Sequence, residues 1–479
     1  MLVKQPSSNT ARRELGRGQI DLISTTQLGS SAPQIGMALI AAVGVLLLWL
    51  APQLALNPIM VPLALLAVVF SIHAPFHVSL LLVVFSCFRV QEAYQLPSQL
   101  SPIFPLGMMI IISLFWHMSF TRSIKPSWSP ELRTLASFVG VVTVGLLFAA
   151  NRWLAYDEWA SYLKIIIFTS AVAWFSRSFF HLKIFAYTII SCGMLISIVA
   201  IYNGFVGEGL VEGTRVSVGA ADPKSFLANP NDLALLLLTP LSVTAAVLVQ
   251  ERSPVSRVVC TLIGSSIMWA IVLTQSRGAL FGILASLAVI VFRRIKSKLT
   301  IVALLVGLAV LLYVAMGISG RVSGGAADEK GESAENRLIA WRAGINMAVS
   351  RPFGVGIGNF TSQFDQYSPA RIPKITAHSI WFQVLGETGF VGLTMFTWLI
   401  VVCLRRALQN FRGLTACGAP PLITGLSLGV LAGIAGFCIA GSFLSLAYAW
   451  PLYLLVSLTS ALAHCRSTCG LSANRAVVP

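Results

Sequence analysis

Charge is what this sequence lacks. Only 10% of its 479 residues are Asp, Glu, Lys or Arg, while 56% are hydrophobic, and soluble domains carry about 25% charged residues. With a mean hydropathy of +0.82, the chain falls outside the soluble and disordered classes. It reads as a polytopic integral membrane protein. Acidic residues are scarcer than basic ones, 17 against 33, giving a formal net charge of +16. On a soluble domain that excess points to nucleic acid. In a membrane protein it points to basic loops on one face, so no nucleic-acid partner is expected. The polar residues 1–32 carry Lys4, Arg12, Arg13 and Arg17 with no apolar core in signal-peptide range, and are expected to be a cytoplasmic tail. The eight cysteines form no framework: five fall in apolar runs, and Cys417, Cys465 and Cys469 lie near basic ends. Reduced, inert thiols are expected. There is no repeat of 20–50 residues and no symmetry between halves of the kind many transporters show.

Long apolar runs dominate instead. Spans of about 20 residues fit at 34–51, 56–72, 75–89, 101–120, 133–151, 159–176, 183–203, 231–250, 256–274, 277–294, 299–318, 378–404, 421–441 and 443–463. The expectation is an all-α bundle of about 14 (12–14) transmembrane helices with both termini cytoplasmic. In that orientation the inner segments hold 20 Lys+Arg and the outer ones 12, seven of them in the single long loop 319–377; this agrees with the positive-inside rule. The division expected is a tail (1–32), an N-terminal bundle (33–203), a second membrane domain with its long outer loop (204–463), and a C-terminal tail (464–479). Within the loop, SAENRLIAWRAGINMAVSRP reads as a helix with Ser333 as cap, Glu335 in its first turn, and an apolar stripe of Leu338, Trp341, Ile345 and Val349.

A few polar groups sit where lipid makes them costly. His378 is the only histidine expected on the outer side, at the mouth of a span, where it can take a proton near neutral pH. Arg277, in TQSRGALFG, faces outward beside Gly278, which leaves room for a bulky neighbour. Arg215 lies in a glycine-rich outer loop. Arg337 and Trp341 share a helix face, and Arg342 points roughly 140° away. Arginines converging on an outer site suit a phosphate, because guanidinium forks bind its oxygens bidentately. No outward DxD or acidic cluster offers a divalent-metal site, so no metal and no other cofactor is expected. Asp328, Glu329, Glu332 and Glu335 read as a solvated run. GVGIGNF (354–360) follows a helix rather than a strand and reads as a turn returning the loop to the membrane. Lys164 and Glu387 are the two charges inside spans, each a candidate substrate or lipid contact. Nine residues place Glu387 roughly 13–14 Å from His378 on another face, as a buried hydrogen-bonding residue unless Gly386 or Gly389 breaks the helix.

NRLIAWRAGINMAVSRPFGVGIGNF followed by AHSIWFQVLGETGFVGL resembles the O-antigen ligase / Wzy polymerase superfamily of bacterial membrane glycosyltransferases. TQSRGALFG and NPNDLALLLLTPL match the same family, and the likeness runs over roughly residues 200–405. The resemblance implies a GT-C-like helical membrane fold in the inner membrane. It implies metal-independent, inverting transfer of a glycan from undecaprenyl diphosphate, on the periplasmic face, to an acceptor glycan or the lipid A core. It assigns the general base to His378 and diphosphate binding to Arg277, Arg337 and, more loosely, Arg215. Arg342 is expected among the diphosphate-binding arginines, and Trp341 as a substrate or lipid contact. It leaves open ligase, polymerase and protein O-oligosaccharyltransferase, and leaves room for other polysaccharide-assembly proteins as partners. A lipid-linked-glycan flippase or exporter is the alternative from another class.

Overall fold

The computed structural model describes residues 60–94, 102–219, 225–293, 297–316 and 334–475. The expected span 34–51, the N-terminal tail, Asp328, Glu329, Glu332 and Ser333 lie outside the described residues. In chain order the helices are α1 (Met60–His73), α2 (Pro75–Leu82), α3 (Val90–Ala93), α4 (Ile103–Phe115), α5 (Pro130–Gly145), α6 (Arg152–Phe175), α7 (Phe179–Val206), α8 (Pro230–Gln250), α9 (Pro254–Leu273), α10 (Arg277–Phe292), α11 (Lys298–Met316), α12 (Ala334–Ser350), α13 (Phe360–Tyr367), α14 (Ile380–Ala416), α15 (Pro421–Gly441) and α16 (Trp450–Arg475). Among the described residues the only sheet is an antiparallel ribbon of β1 (Leu210–Val211) and β2 (Arg215–Val216).

Seven of these helical stretches are long and apolar enough to cross a membrane, or eight if the bent pair Leu65–His73 and Pro75–Cys87 counts as one span. That pair, expected as two separate spans, is bent through 106° at the point where Pro75 removes a backbone donor. The helix expected in the long loop is present as α12.

The chain divides into two compact units, one formed by Met1–Val78 with Pro105–Ser127, the other by Ser79–Phe104 with Trp128–Pro479. In the first, the His117 ring bonds the Ile72 carbonyl at 2.9 Å and the Ser123 hydroxyl at 2.8 Å. The second carries all of the motifs above. Its centre is the pair α8 and α15, which are mostly buried, whereas the peripheral α9 is mostly exposed. Lipid gives helices no hydrophobic reason to associate, so small residues that let backbones touch do the work. A Cβ on Gly425 or Gly429 of α15 would lie 2.8 or 2.6 Å from the Cα of Val247 or Val243 on α8. One turn further on, Ser286 of α10 donates to the Ala432 carbonyl at 3.1 Å.

The helix ends of this unit sort into two groups. In one, Arg406 pairs with the buried Glu131 at 3.3 Å, Asn410 donates to the Thr459 carbonyl at 2.8 Å, and Ser129 meets Ser460 at 2.9 Å. There Cys417 and Cys469 are disulfide-bonded, with 6.3 Å between their Cα atoms. This corrects the expectation of eight reduced thiols: α14 and α16 end side by side, a proximity that a sequence separation of 52 does not reveal. In the other group the segments 145–158, 209–219, 225–231, 274–278, 351–389 and 442–450 meet. Each contact joins segments expected on the same side of the membrane.

The glycine contacts are testable. Gly429→Ala is expected to destabilise the detergent-solubilised protein by roughly 1–3 kcal/mol through overpacking. Gly140→Ala, on an α5 face where an added Cβ meets nothing within 4 Å, is expected to be neutral or slightly stabilising. Melting followed by size-exclusion chromatography separates the two.

Candidate active site

Helix α14 is broken at Gly389, whose φ of 69° and ψ of −170° no helix contains. A break exposes the carbonyls just before it. Those of Gly386 and Glu387 accept from the N–H groups of Val355 and Gly356, at 2.9 Å each. The segment expected as a returning turn is therefore a strap seated in the kink. A Cβ on Gly389 would overlap the Pro352 carbonyl, and one on Gly354 the Glu387 carbonyl. Both residues also have φ near +70°, which glycine alone adopts freely. The strap is held from its other edge by the Ala150 N–H on the Val355 carbonyl (2.9 Å), by Asn359 Nδ2 on the Asn151 carbonyl (3.2 Å), and by Phe353 stacked on Phe148.

Glu387 is 2% exposed. Its carboxylate accepts from the backbone N–H groups of Gly358 and of Phe360, the latter at 3.4 Å, and so caps the start of α13. The Tyr448 hydroxyl faces the same carboxylate. The expected hydrogen-bonding role is what the structure has. The break at Gly389 follows Glu387 and does not swing it toward His378.

His378 stands just before the α14 N-cap Ser379, with φ of 44°, a left-handed conformation uncommon outside glycine. It is held there by its own N–H, which donates to Ser445 Oγ at 2.7 Å. Trp381 Nε1 donates to Ser442 Oγ at 2.9 Å, and the Ala447 N–H donates to Gln383 Oε1 at 3.2 Å. The connection between α15 and α16, residues 442–449, is thus clamped along the first turn of α14. The imidazole is half-buried, and the neighbouring Ser379 hydroxyl is buried with no hydrogen-bond partner among the described residues. Such a group in a native protein usually has a water or ligand to meet.

The same connection reaches the arginine motif. Phe443 packs on Gly278, where an added Cβ would lie 3.1 Å from the Phe443 Cβ. The room expected beside Arg277 for a bulky ligand is therefore filled by the protein's own ring, because Gly278 is needed for close helix–loop approach. Arg277 itself is exposed at the first position of α10, after the capping Ser276. Arg215 is 2% exposed on β2. Its Nε donates to the Thr274 carbonyl at 3.2 Å, its Nη2 to Asn231 Oδ1 at 2.7 Å, and its Nη1 lies 3.9 Å from Glu212. It ties together three of the motif segments, EGTRVSVG, NPND and TQSRG.

Helix α12 buries Ala340, Ala343 and Met347, and Gly344 lets the Phe382 carbonyl approach. Of its apolar stripe only Trp341 packs: Leu338, Ile345 and Val349 are 55%, 40% and 68% exposed. Trp341 stacks on Phe382, one turn into α14, at 5.0 Å and 11°, and its Nε1–H has no hydrogen-bond partner among the described residues. Arg337 is half-buried on the same helix and Arg342 is exposed, as their angular separation requires. Lys164 lines a cavity together with Arg89, Glu158 and Tyr448. Sequence reasoning missed Ser445 and Tyr448, which lie in a junction that reads only as a span boundary. It also missed Glu158, whose signal was its spacing of six residues from Lys164 on one apolar helix.

If Glu387 is a cap and not a proton carrier, Glu387→Gln keeps an acceptor for the Phe360 N–H and is expected to melt close to wild type. Glu387→Leu leaves buried N–H groups unpaired and is expected to cost about 1–3 kcal/mol per group. Thermal denaturation of the two variants decides, and equal losses would contradict the capping role.

No curated protein matches the chain. A family model described as Wzy_C, O-antigen ligase, matches residues 260–397. That interval contains Arg277, Arg337, Trp341, Arg342, His378 and Glu387, and excludes Arg215 and Lys164. Over that interval the chain is similar to the O-antigen ligase / Wzy superfamily of membrane proteins.

Proposed function

We propose that the protein transfers a glycan from undecaprenyl diphosphate to an acceptor sugar hydroxyl on the periplasmic face of the bacterial inner membrane, in surface-polysaccharide assembly. The observation that carries this reading is the 442–449 connection. It holds the His378 segment through Ser445 and the Arg277 segment through Phe443, in a chain whose residues 260–397 match the O-antigen ligase model. The expected complement of twelve to fourteen spans, with both termini cytoplasmic, is part of the same proposal.

In this reading the acceptor hydroxyl gives its proton to the His378 imidazole as its oxygen attacks the anomeric carbon. The bond from that carbon to the diphosphate oxygen breaks, the electron pair leaves with the diphosphate, and the configuration inverts. Arg277 and Arg337 bind the diphosphate and stabilise the departing charge, in place of a metal. Arg215, its donors engaged with Thr274 and Asn231, positions the turn from which Arg277 projects. Arg342 faces outward to the phosphate-rich membrane surface, and Trp341 fixes the first turn of α14 through Phe382. The leaving group is already good, so one base and a few fixed cations suffice.

His378→Ala is expected to lower transfer by roughly 10²–10⁴ without changing melting, and wild-type amounts of surface glycan in that variant would refute the assignment. Deleting the gene separates the family's two main reactions. Accumulated lipid-linked polymer identifies a ligase, and products limited to a single repeat identify a polymerase. Modified protein hydroxyls would identify an O-oligosaccharyltransferase instead. A flippase or exporter, the alternative from another class, predicts unflipped donor on the inner leaflet.

A further inference from the structure

A cavity of about 400 Å³ opens beside Trp450 in the larger unit, within the ~300–1,000 Å³ typical of small-molecule sites. One wall is a single stripe of α6: Glu158, Ser161 and Lys164 follow one another at three-residue spacing, and all three line the cavity. The facing walls are aromatic. Trp450 stacks parallel to Phe168 at 6.1 Å, and Phe226 lies 5.5 Å beneath the Arg89 guanidinium. A lysine in an apolar helix is costly unless it faces a protein cavity, and this cavity is where Lys164 is spent.

The charges here are balanced. Arg89 pairs with Glu92 at 2.7 Å, and Lys164 shares its wall with Glu158. That leaves no surplus of cations for a diphosphate. It does leave donors and acceptors side by side, next to flat apolar rings. A pyranose has that complementarity, with hydroxyls that both donate and accept around its rim and a face of C–H groups. The cavity is also joined to the His378 region by two short links. Tyr448 lines it, three residues along the connection from Ser445, which holds His378. Glu158 also packs against Gly358 of the strap.

We propose that this cavity is a saccharide subsite that grips the sugar rings next to the bond formed at His378. The inference rests on the glycosyl-transfer reading above. The sugars belong either to the donor glycan or to the acceptor, and the recognition chemistry is the same for both. Ser161→Trp fills the cavity from its exposed rim. Lys164→Met and Glu158→Gln, of similar size to the natural residues, remove one polar partner each and serve if the tryptophan variant does not fold.

The test uses full-length protein in detergent with two substrate fractions extracted from a strain deleted for the gene: the diphosphate-linked glycan and the acceptor. Ser161→Trp is expected to raise KM for one fraction by about tenfold or more with kcat little changed, the signature of lost uniform binding. Lys164→Met and Glu158→Gln are expected to raise the same KM by a smaller factor. The fraction affected identifies whose sugars the cavity holds. If wild type transfers glycan and all three variants keep both KM values within about twofold of it, the subsite is refuted while the transfer reading stands. If wild type transfers nothing under conditions where it is folded, the transfer reading falls and this inference falls with it.

Discussion

A helix inside a membrane cannot break without leaving backbone carbonyls for which lipid has no donor, and each unsatisfied group costs several kcal/mol. The break at Gly389 meets that constraint with another part of the chain. The N–H groups of Val355 and Gly356 enter the kink, and the Glu387 carboxylate takes the N–H groups at the start of α13. The exchange is mutual: the strap satisfies the helix, and the helix satisfies the strap. Neither can be displaced without orphaning polar groups on the other, so the end of the long loop and the first turns of α14 behave as one body.

The rest of the site is built on that body. His378 is fixed at its N-terminal edge, and α12 lies along it through Ala340, Ala343, Gly344 and the Trp341–Phe382 stack. The 442–449 connection closes over the same turn and is itself braced from below. Tyr453 donates to the Ala447 carbonyl at 2.8 Å and bonds the Tyr162 hydroxyl at 2.9 Å, and both rings are buried. The side chains proposed to act chemically thus stand on short, heavily tied segments rather than on free loops, which is what holding reacting atoms in register requires. The polar residues that would be liabilities in lipid are placed at helix ends or against a cavity.

How much of this was legible can be judged from particular residues. Helix α12 and the opposed directions of Arg337 and Arg342 follow from spacing alone, because helical geometry is local; that Glu387 is a buried hydrogen-bonding residue is also legible, but its capping of α13 is not. The apolar stripe of α12 was read correctly as a stripe, but the face that packs is the one lined by alanine and glycine, since close backbone approach outweighed side-chain hydrophobicity there. Gly278 was read as space for a ligand, yet Phe443, 165 residues away in sequence, occupies that space. The Cys417–Cys469 bond was missed for the same reason, as its proximity is made by two helices that end together.

By itself the sequence determined that the chain lives in a membrane, where most of its helices fall, and which family residues 260–397 resemble. Those are properties of composition, period and motif, and each is carried by neighbouring residues. The tertiary structure alone decided that the strap fills the α14 kink, that one short connection, residues 442–449, reaches the histidine, the arginine turn and Glu387, and that Lys164 faces a cavity with aromatic walls. These depend on which backbones can come close enough to touch. In a bundle held by glycine contacts and by the need to satisfy every buried N–H and C=O, that is settled only when all the helices are in place.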